Sequence, residues 1–386
     1  MKTSPPVGQG VWAELVGQHH AVGVLRRAVA GESHAMTHAW LITGPPGSGR
    51  SNAAKAFAAA LQCPDGGCGA CQVCRTSLSG AHPDVTLVRT EQLSIGVDEV
   101  RELVRRAAMR PTSGPRQVLV VEDADRVTER GADALLKAIE EPAAPTVWML
   151  CAPNADDVIV TIRSRCRRVE LATPSEAAIA RLLVERDGVP GDMAGHAARV
   201  AQGHIGRARA IARNEDARRR RAEILGIPAR LSTLGACLKA AADVVSAASD
   251  EASATTADLD VREKEALSQA LGTGAKGARP RHAQAALRDL DDQQKARAKR
   301  FQRDALDRVL TEFTGYYRDV FALQTGASAR LLNADLTDQL DAVARRTRPE
   351  QTIASLDAIL ACRQALEFNV APQLAMESLM ISLHTA

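Results

Sequence analysis

Residues 44–51 read Gly-Pro-Pro-Gly-Ser-Gly-Arg-Ser, and this stretch decides the fold. In the pattern G-x-x-x-x-G-K-[ST], glycines let backbone N–H groups surround phosphate oxygens, and the loop leads into a helix N-terminus that favours anions. Arg50 stands where the pattern has lysine, and its planar, forked guanidinium is not equivalent to a lysine ammonium at a crowded phosphate site. The candidate nucleotide-binding residues are Gly44, Gly47, Ser48, Gly49, Arg50 and Ser51.

The segments on either side of this phosphate loop (residues 44–51) predict a strand before it and a helix after it. Residues 39–43 form a short apolar run typical of a buried strand. Residues 52–61 are rich in good helix formers. Strand, glycine-rich loop and helix are the context that the motif requires, whereas an ordinary Gly-Pro turn is the alternative interpretation. We therefore predict nucleotide-binding ancestry and, because of Arg50, weak or absent hydrolysis.

The composition indicates a multidomain protein with enough apolar residues for its cores. The chain has 386 residues, of which 45% are hydrophobic, and this length suggests two or three domains. A formal net charge of +3 gives no overall basic character of the kind that indicates nucleic acid binding. The first residues lack the apolar core of a signal peptide, and no apolar run reaches membrane-spanning length. We expect a soluble, cytoplasmic protein.

Half of the eight cysteines form a cluster with the spacing C-x4-C-x2-C-x2-C, and these four are Cys63, Cys68, Cys71 and Cys74. The spacing lets four thiolates meet at one tetrahedral ion, so we predict a closed structural zinc site. A redox C-x-x-C pair, an iron–sulfur cluster and unrelated buried thiols are the alternatives. Disulfides are rare in cytoplasmic proteins, which favours a metal. We interpret the four scattered cysteines as small core residues.

Strand and helix patterns alternate in the first part of the chain, and only helical patterns follow. Further apolar runs predict strands at residues 83–88, 117–121 and 146–151, and hence a mostly parallel sheet. The four consecutive arginines at 218–221 predict a solvated helix surface, with a phosphate-backbone or subunit contact as the alternative. Residues 247–300 surround a glycine-rich stretch, so we expect a flexible insertion between charged helices there.

Three short segments, combined with the loop and the cysteines, carry a family resemblance. They are Glu122-Asp123-Ala124-Asp125 after a predicted strand, ALLKAIEEP over residues 134–142, and Ser164-Arg165-Cys166 after the last predicted strand. Together these residues resemble the AAA+ subunits of the bacterial DNA polymerase III clamp loader, over residues 11–212. Residues 12–18 also resemble the family's N-terminal segment near the adenine.

The resemblance implies an α/β AAA+ P-loop domain with an inserted zinc module, followed by a small helical lid domain and an all-helical C-terminal collar domain. In this chain the corresponding boundaries are 1–172 with the zinc module at 63–74, 173–228, and 229–386. The resemblance also implies partners. These are the motor subunits (gamma or tau) and the clamp-opening delta subunit, which act together on the sliding clamp and on primed DNA.

The family includes an ATPase motor and a stator whose ATPase motifs have drifted, and four departures in this chain match the stator. They are Arg50 in place of lysine, the swapped acidic pair Glu122 and Asp123, Asn154 as the nearest candidate for a missing sensor residue, and Gly206, beside Arg207, where the motor has its second sensor arginine. We therefore predict the stator type. Structural Zn²⁺ is its expected cofactor, and binding of ATP with Mg²⁺ is an open question.

The resemblance gives Arg165 a role in trans. In this family the S-R-C arginine reaches the ATP site of a neighbouring subunit, where a cation stabilises the charge on the transferring phosphoryl group. A structural salt bridge at a strand end is the alternative for Arg165, and capping of a strand end is the alternative for Glu122 and Asp123.

Two other functions compete with the stator. The first is an active motor ATPase in which Arg50 replaces the lysine acceptably. The second is an unrelated P-loop enzyme, such as a small-molecule kinase, and the segments at 134–142 and 164–166 count against it.

Overall fold

The computed structural model describes residues 5, 8–90, 94–143, 145–270 and 281–385. The glycine-rich stretch at 272–280, where we expected a flexible break, lies outside the described residues. The chain separates into two compact units, Met1–Thr90 with Ser94–Arg213, and Glu91–Leu93 with Asn214–Ala386. Our three-domain division stays a prediction.

The first unit contains a sheet with helices around and after it. Its strands are β1 (Ala39–Thr43), β2 (Val85–Val88), β3 (Gln117–Val121), β4 (Thr146–Ala152) and β5 (Arg167–Glu170). Its described α-helices are α1 (His19–Ala30), α2 (Arg50–Gln62), α3 (Gln72–Ser79), α4 (Val97–Ala107), α5 (Glu129–Glu140), α6 (Val160–Arg163), α7 (Glu176–Glu185), α8 (Gly191–Val200) and α9 (Ile205–Arg213).

The sheet is parallel throughout, with the strand order β2-β3-β4-β1-β5. Because the strands are parallel, the segments after β1, β3 and β4 all leave from the same edge of the sheet. This edge therefore brings together the phosphate loop after Thr43, the acidic box that starts at Glu122, and the candidate sensor segment after Ala152. The predicted parallel α/β fold is confirmed.

Both faces of the central strands are covered, as a parallel sheet requires. Every residue of β1, β3 and β4 is buried. Trp40 packs on one face, where its ring meets the Phe57 ring of α2 edge-to-face at 5.0 Å, and Leu41 packs into the cluster on the other face. The alanines of α2 let this helix lie close to the sheet, so the phosphate loop rests on a rigid support.

Strand β5 is absent from our sequence prediction because its residues are mostly charged. Only Val169 of its four residues is buried. Arg167 compensates for the polar character, since its guanidinium lies 5.5 Å from the centre of the Trp40 ring and donates to the backbone oxygens of His34 and Ala35 at 2.9 and 2.8 Å. A charged strand of this kind fits the edge of a sheet, where one side is open to solvent.

Helices α7 to α9 follow the sheet and have a small core of their own, centred on Ile179, Leu183 and Ala197. The sequence predicts helical structure from Met193 to Asn214 with a joint or cap at residues 203–206, and the chain does break there, between α8 and α9. Gln202 and Gly203 both have positive φ, at 50° and 88°, which ends the helical geometry. His204 lies directly before α9 as a result.

The secondary-structure elements in the described residues of the second unit are all helices. Its α-helices are α10 (Glu215–Leu225), α11 (Leu234–Ala270), α12 (Arg281–Gln324), α13 (Thr337–Arg346), α14 (Pro349–Glu367) and α15 (Pro372–Thr385). Its apolar core uses α11 up to Ala248 and α12 from Ala305 onward. Beyond the core, polar contacts join the two long helices, for example Lys264 to Asp291 at 3.0 Å. The predicted charged helices on either side of the glycine-rich stretch are therefore present.

The run of four arginines is not uniformly a solvated surface. Arg219 and Arg220 are exposed, but Arg221 is buried. Its Nε lies 3.1 Å from the buried carboxylate of Glu312 in α12, and its guanidinium also donates to the side chain of Asn333. Arg221 thus holds α10 to α12. The sequence pattern alone does not suggest this buried contact.

Candidate functional site

The phosphate loop has the backbone geometry of its motif, but a histidine lies against it. Gly47 has φ +82°, a conformation that suits glycine. A Cβ atom on Gly47 would overlap the ring carbon Cγ of His204 and would lie only 2.6 Å from its Cα. The segment between α8 and α9 therefore packs directly against the middle of the loop.

Arg50 turns back onto the loop instead of pointing outward. Its Nη1 donates to the backbone oxygen of Gly44, the first residue of the loop. Burial lowers the pKa of Arg50, and the surrounding Cys151, Asp125 and Asp123 oppose that change. Ser51 lies half-buried in the first turn of α2, and the Ser48 hydroxyl is buried without a hydrogen-bond partner among the described residues.

The acidic box after β3 also has a cation from its own chain. Lys55 Nζ lies 2.8 Å from Oε1 of Glu122, whose side chain is only 9% exposed. Asp123 precedes a short 3-10 helix at 124–126, and burial raises the pKa of the neighbouring Asp125. Helix α2 therefore supplies two cations, one to the phosphate loop and one to the acidic box.

Gln18, from the segment that resembles the adenine-side region, connects three parts of the unit. Its Nε2 donates to the Ala172 oxygen at 2.7 Å and to the Ser48 oxygen at 3.4 Å. Its Oε1 accepts from the Ala172 N–H at 3.0 Å. A buried glutamine with satisfied polar atoms fixes its neighbours, so the N-terminal segment, the phosphate loop and the chain after β5 form one rigid assembly.

Ion pairs fasten α7 and α9 to the same N-terminal segment. Arg186 lies 2.8 Å from the carboxylate of Glu14, and Arg209 lies 3.7 Å from it. Asp187 pairs in addition with Arg209 at 2.8 Å and with Arg213 at 2.9 Å. These contacts hold the helical segment in the position where His204 covers Gly47.

The candidate sensor residues have structural contacts in this conformation. Asn154 is exposed, and its backbone N–H donates to Asp157 at 3.0 Å at the start of a 3-10 helix. Cys151, at the end of β4, is fully buried, which raises its pKa to about 12. Gly206 lies in the first turn of α9, and the Arg207 N–H donates to Nδ1 of His204 at 3.1 Å.

Arg165 lies on the surface, between α6 and β5. Its Nη2 is 2.5 Å from Oε1 of Glu140, the last residue of α5, and its Nη1 donates to the Thr161 oxygen at 2.9 Å. The side chain is 41% exposed. The structure therefore combines the salt bridge that we considered as an alternative with an exposed guanidinium that another subunit can reach.

The four clustered cysteines converge as their spacing predicts. Their sulfur atoms all lie within 4.8 Å of one another, and the Cys63 sulfur is 3.8 Å from those of Cys68 and Cys71. Zinc bonded to four sulfurs at about 2.3 Å requires sulfur separations of about 3.8 Å, so the geometry fits the ion. Backbone hydrogen bonding at Cys71 lowers the pKa of Cys68 to about 7, whereas burial raises the pKa of Cys71 and that of Cys74.

The cysteine module contacts the N-terminal segment directly. The Val11 N–H donates to the Gly67 oxygen at 3.0 Å. The two backbones approach so closely that a Cβ on Gly10 would overlap that same oxygen. Because Val11 and Trp12 begin the segment that Gln18 fastens to the phosphate loop, the module supports the loop from a distance.

Asp84 is a structural residue whose role the sequence pattern does not reveal. Its buried carboxylate accepts from the backbone N–H groups of Thr112, Ser113 and Gly114 at 2.5, 2.8 and 2.6 Å. It thereby fixes the turn between α4 and β3. These bonds are needed because the carboxylate is buried, and no pattern in the sequence encodes that burial.

Two family models match separate parts of the chain. The model described as "DNA polymerase III, delta subunit" matches residues 17–175, and the model described as "DNA polymerase III, delta subunit, C terminal" matches residues 293–385. The two ranges together span well over half of the chain. They include the phosphate loop, the cysteine module and Arg165 in the first unit, and α13 to α15 in the second.

Known relatives are also DNA polymerase III subunits, and they match different shares of this chain. The DNA polymerase III subunit delta' of Pseudomonas aeruginosa is 34% identical over 46% of this chain and 51% of its own length. The subunit delta' of Bacillus subtilis is 25% identical over 91% of this chain and 92% of its own. A gamma/tau subunit of Mycobacterium bovis is 35% identical, but over only 40% of this chain and 27% of the relative. The chain thus spans about half, or less, of several relatives that it matches.

The fold, the site and the family matches together define this chain as a DNA polymerase III subunit of the clamp-loader class. The gamma/tau similarity covers only 40% of this chain, whereas a delta' relative matches 91% of it. The chain belongs to the delta-prime family. This agrees with the family member that the four departures in the sequence predict.

Proposed function

We propose that this chain is the stator subunit of a DNA polymerase III clamp loader, with little or no ATPase activity of its own. The observation that carries the proposal is the bond from Arg50 to the Gly44 oxygen. It commits the cation of the phosphate loop to the loop itself. The pair formed by Lys55 and Glu122 supports the same conclusion, because it occupies the first carboxylate of the acidic box.

In this function Arg165 serves the ATP site of a neighbouring subunit. A guanidinium placed against the γ-phosphate stabilises the negative charge that spreads over the phosphoryl oxygens during transfer. Arg165 is suited to this task because it is permanently charged, it is 41% exposed, and it lies on the surface outside the chain's own phosphate loop.

The proposed partners follow from the delta-prime family. They are a gamma or tau motor subunit, which would receive Arg165, and the delta subunit, with the sliding clamp and primed DNA as the objects of the complex. The helical unit, which contains the match to the C-terminal family model over 293–385, would take part in assembly. This helical unit would be the collar.

We further propose that the cysteine module holds one structural Zn²⁺ through Cys63, Cys68, Cys71 and Cys74. Four thiolates complete its coordination and leave no position for substrate water, so the ion stabilises the module without taking part in a reaction. The candidate residues for ATP and Mg²⁺ fit less well. His204 covers Gly47, and the chain's own cations occupy the loop and the acidic box.

An active motor is the second candidate, favoured by the 35% identity to a gamma/tau subunit over 159 residues. In that function Arg50 would have to leave the Gly44 oxygen, Lys55 would have to release Glu122, and His204 would have to move from Gly47. Three local rearrangements would be needed before a phosphate could be held.

Hydrolysis and binding of ATP by the isolated full-length chain separate the two candidates. We expect no turnover above the buffer blank and no saturable binding of ATP with Mg²⁺ in calorimetry, because the cations of α2 are already engaged. The control is Arg50→Ala, which should give the same result. Robust turnover by the natural chain that Arg50→Ala abolishes would overturn the stator proposal.

The role of Arg165 is tested in the assembled complex with clamp and primed DNA. We expect Arg165→Ala to lower hydrolysis at the site that it serves by on the order of 10³-fold, the range for an arginine finger. Circular dichroism and the composition of the complex should remain unchanged. An unaltered hydrolysis rate in a complete complex would remove Arg165 from the mechanism.

A further inference from the structure

The surroundings of Arg165 carry an inference about the residues that orient it. We infer that Glu140 and Ser164 are positioning residues, which hold the Arg165 guanidinium in the orientation needed by a neighbour's phosphate. This inference rests on the proposed function of Arg165. It adds two side chains of the same chain to that function, and neither would touch the nucleotide itself.

The contacts around Arg165 use only part of its hydrogen-bonding capacity. Nη2 contacts Oε1 of Glu140 at 2.5 Å, and Nη1 donates to the Thr161 oxygen at 2.9 Å and to Oγ of Ser164 at 3.3 Å. A guanidinium has five N–H groups in a fixed plane. These three contacts fix the plane while leaving the Nε–H and one Nη2–H for an acceptor from outside.

Ser164 is itself oriented by a backbone group. Its hydroxyl donates to the Thr161 oxygen at 3.0 Å, so its lone pairs are available to the Nη1 of Arg165. The same carbonyl oxygen therefore receives Ser164 and Arg165 together. Such a closed set of contacts restricts the rotamers of a long side chain that would otherwise sample many orientations at the surface.

Glu140 also has a defined place in the fold. It is the last residue of α5, and a helix C-terminus carries partial negative charge that favours a nearby cation. The carboxylate of Glu140 is 40% exposed and that of its neighbour Glu141 is exposed as well. An exposed ion pair contributes little to stability, so the cost of removing it should appear in function and not in folding.

The test compares Glu140→Gln with Glu141→Gln in the assembled complex, in the presence of clamp and primed DNA. We expect Glu140→Gln to lower kcat for ATP hydrolysis about tenfold with an unchanged KM, because a misoriented group loses transition-state contacts more than substrate binding. Glu141→Gln should behave as the natural chain, and Glu140→Asp should recover part of the rate. Thermal unfolding of the isolated chain should be the same for all three variants.

A double variant gives the decisive outcome. If Glu140 acts through Arg165, adding Glu140→Gln to Arg165→Ala lowers the rate no further. If the double variant instead shows the product of the two single rate losses, the positioning role of Glu140 is overturned. A normal hydrolysis rate for Glu140→Gln, in a complex that Arg165→Ala impairs, would overturn it as well. An unimpaired Arg165→Ala complex would instead overturn the proposed finger, which keeps the two failures distinguishable.

Discussion

At the scale of single residues, α2 shows how a phosphate loop can keep its shape without a phosphate. Arg50 and Lys55 come from one helix, and each is paired within the chain, Arg50 with the Gly44 oxygen and Lys55 with the Glu122 carboxylate. A buried carboxylate such as Glu122 needs a partner, because an uncompensated charge of low exposure is costly. The internal partners make the conformation independent of added ligand.

Asp84 provides a stability prediction at the same scale. Burial opposes its ionisation, but the backbone N–H groups of Thr112, Ser113 and Gly114 outweigh burial and leave its pKa below the usual range. We expect Asp84→Asn to lower the free energy of unfolding by about 2–3 kcal/mol at pH 7, as charged hydrogen bonds are lost. Urea unfolding of the full chain measures this difference.

The same prediction has a definite pH dependence. The folded pKa is depressed, so the contribution of Asp84 is fully present above the pKa of an unfolded aspartate, about 3.9, and is lost as the pH falls through the folded value. The difference in the free energy of unfolding between the natural chain and Asp84→Asn should therefore disappear only at acid pH. A gap that is constant down to the acid transition would contradict the role of the ionised carboxylate.

At the scale of elements, the cysteine module should control the order of the N-terminal segment. We expect one zinc per chain by elemental analysis, and none in a Cys71→Ser variant or after chelation. Loss of the ion should release the Gly67 oxygen from Val11, so that amide exchange at Val11 accelerates by at least on the order of tenfold, equal to about 1.4 kcal/mol.

The zinc experiment has a control variant and an outcome that would contradict it. Cys237→Ser, in the second unit, removes a buried cysteine outside the cluster and should leave the zinc content unchanged. Unchanged exchange at Val11 in a zinc-free chain would show that the module and the N-terminal segment are independent.

The elements also show what the sequence could and could not predict. Strands β1, β3 and β4 are uniformly buried, so their apolar runs identify them, and the cysteine spacing identifies its own cluster. Strand β5 has a single buried residue and offers no such pattern. The contacts of Arg50, Lys55 and Glu140 depend on which side chains meet across the fold, and no spacing along the chain encodes them.

At the scale of the whole molecule, the described residues form two units with separate apolar cores. We expect two unfolding transitions in calorimetry, since each unit buries its own core. Arg221→Met should lower the free energy of unfolding of the second unit by about 2–4 kcal/mol, because the buried Glu312 loses a cation paired with it. None of the described helices combines the length and apolar character needed to cross a bilayer.

The double variant Arg221→Met with Glu312→Leu is the matched control. Removing both charges should recover much of the lost stability, since apolar side chains often replace a buried ion pair without penalty. The transition of the first unit should keep its midpoint in both variants. A shift of both transitions together would show that the chain unfolds as one cooperative body.

The contact between His204 and Gly47 has a consequence for antibacterial chemistry. A compound that imitates adenosine triphosphate and approaches Gly47 from the side of His204 would meet that histidine. Such compounds should discriminate strongly among the proteins of one replication machine and leave this chain untouched. Selective chemistry against it would have to use the surface around Arg165, where a small acidic molecule could compete with the neighbour's nucleotide.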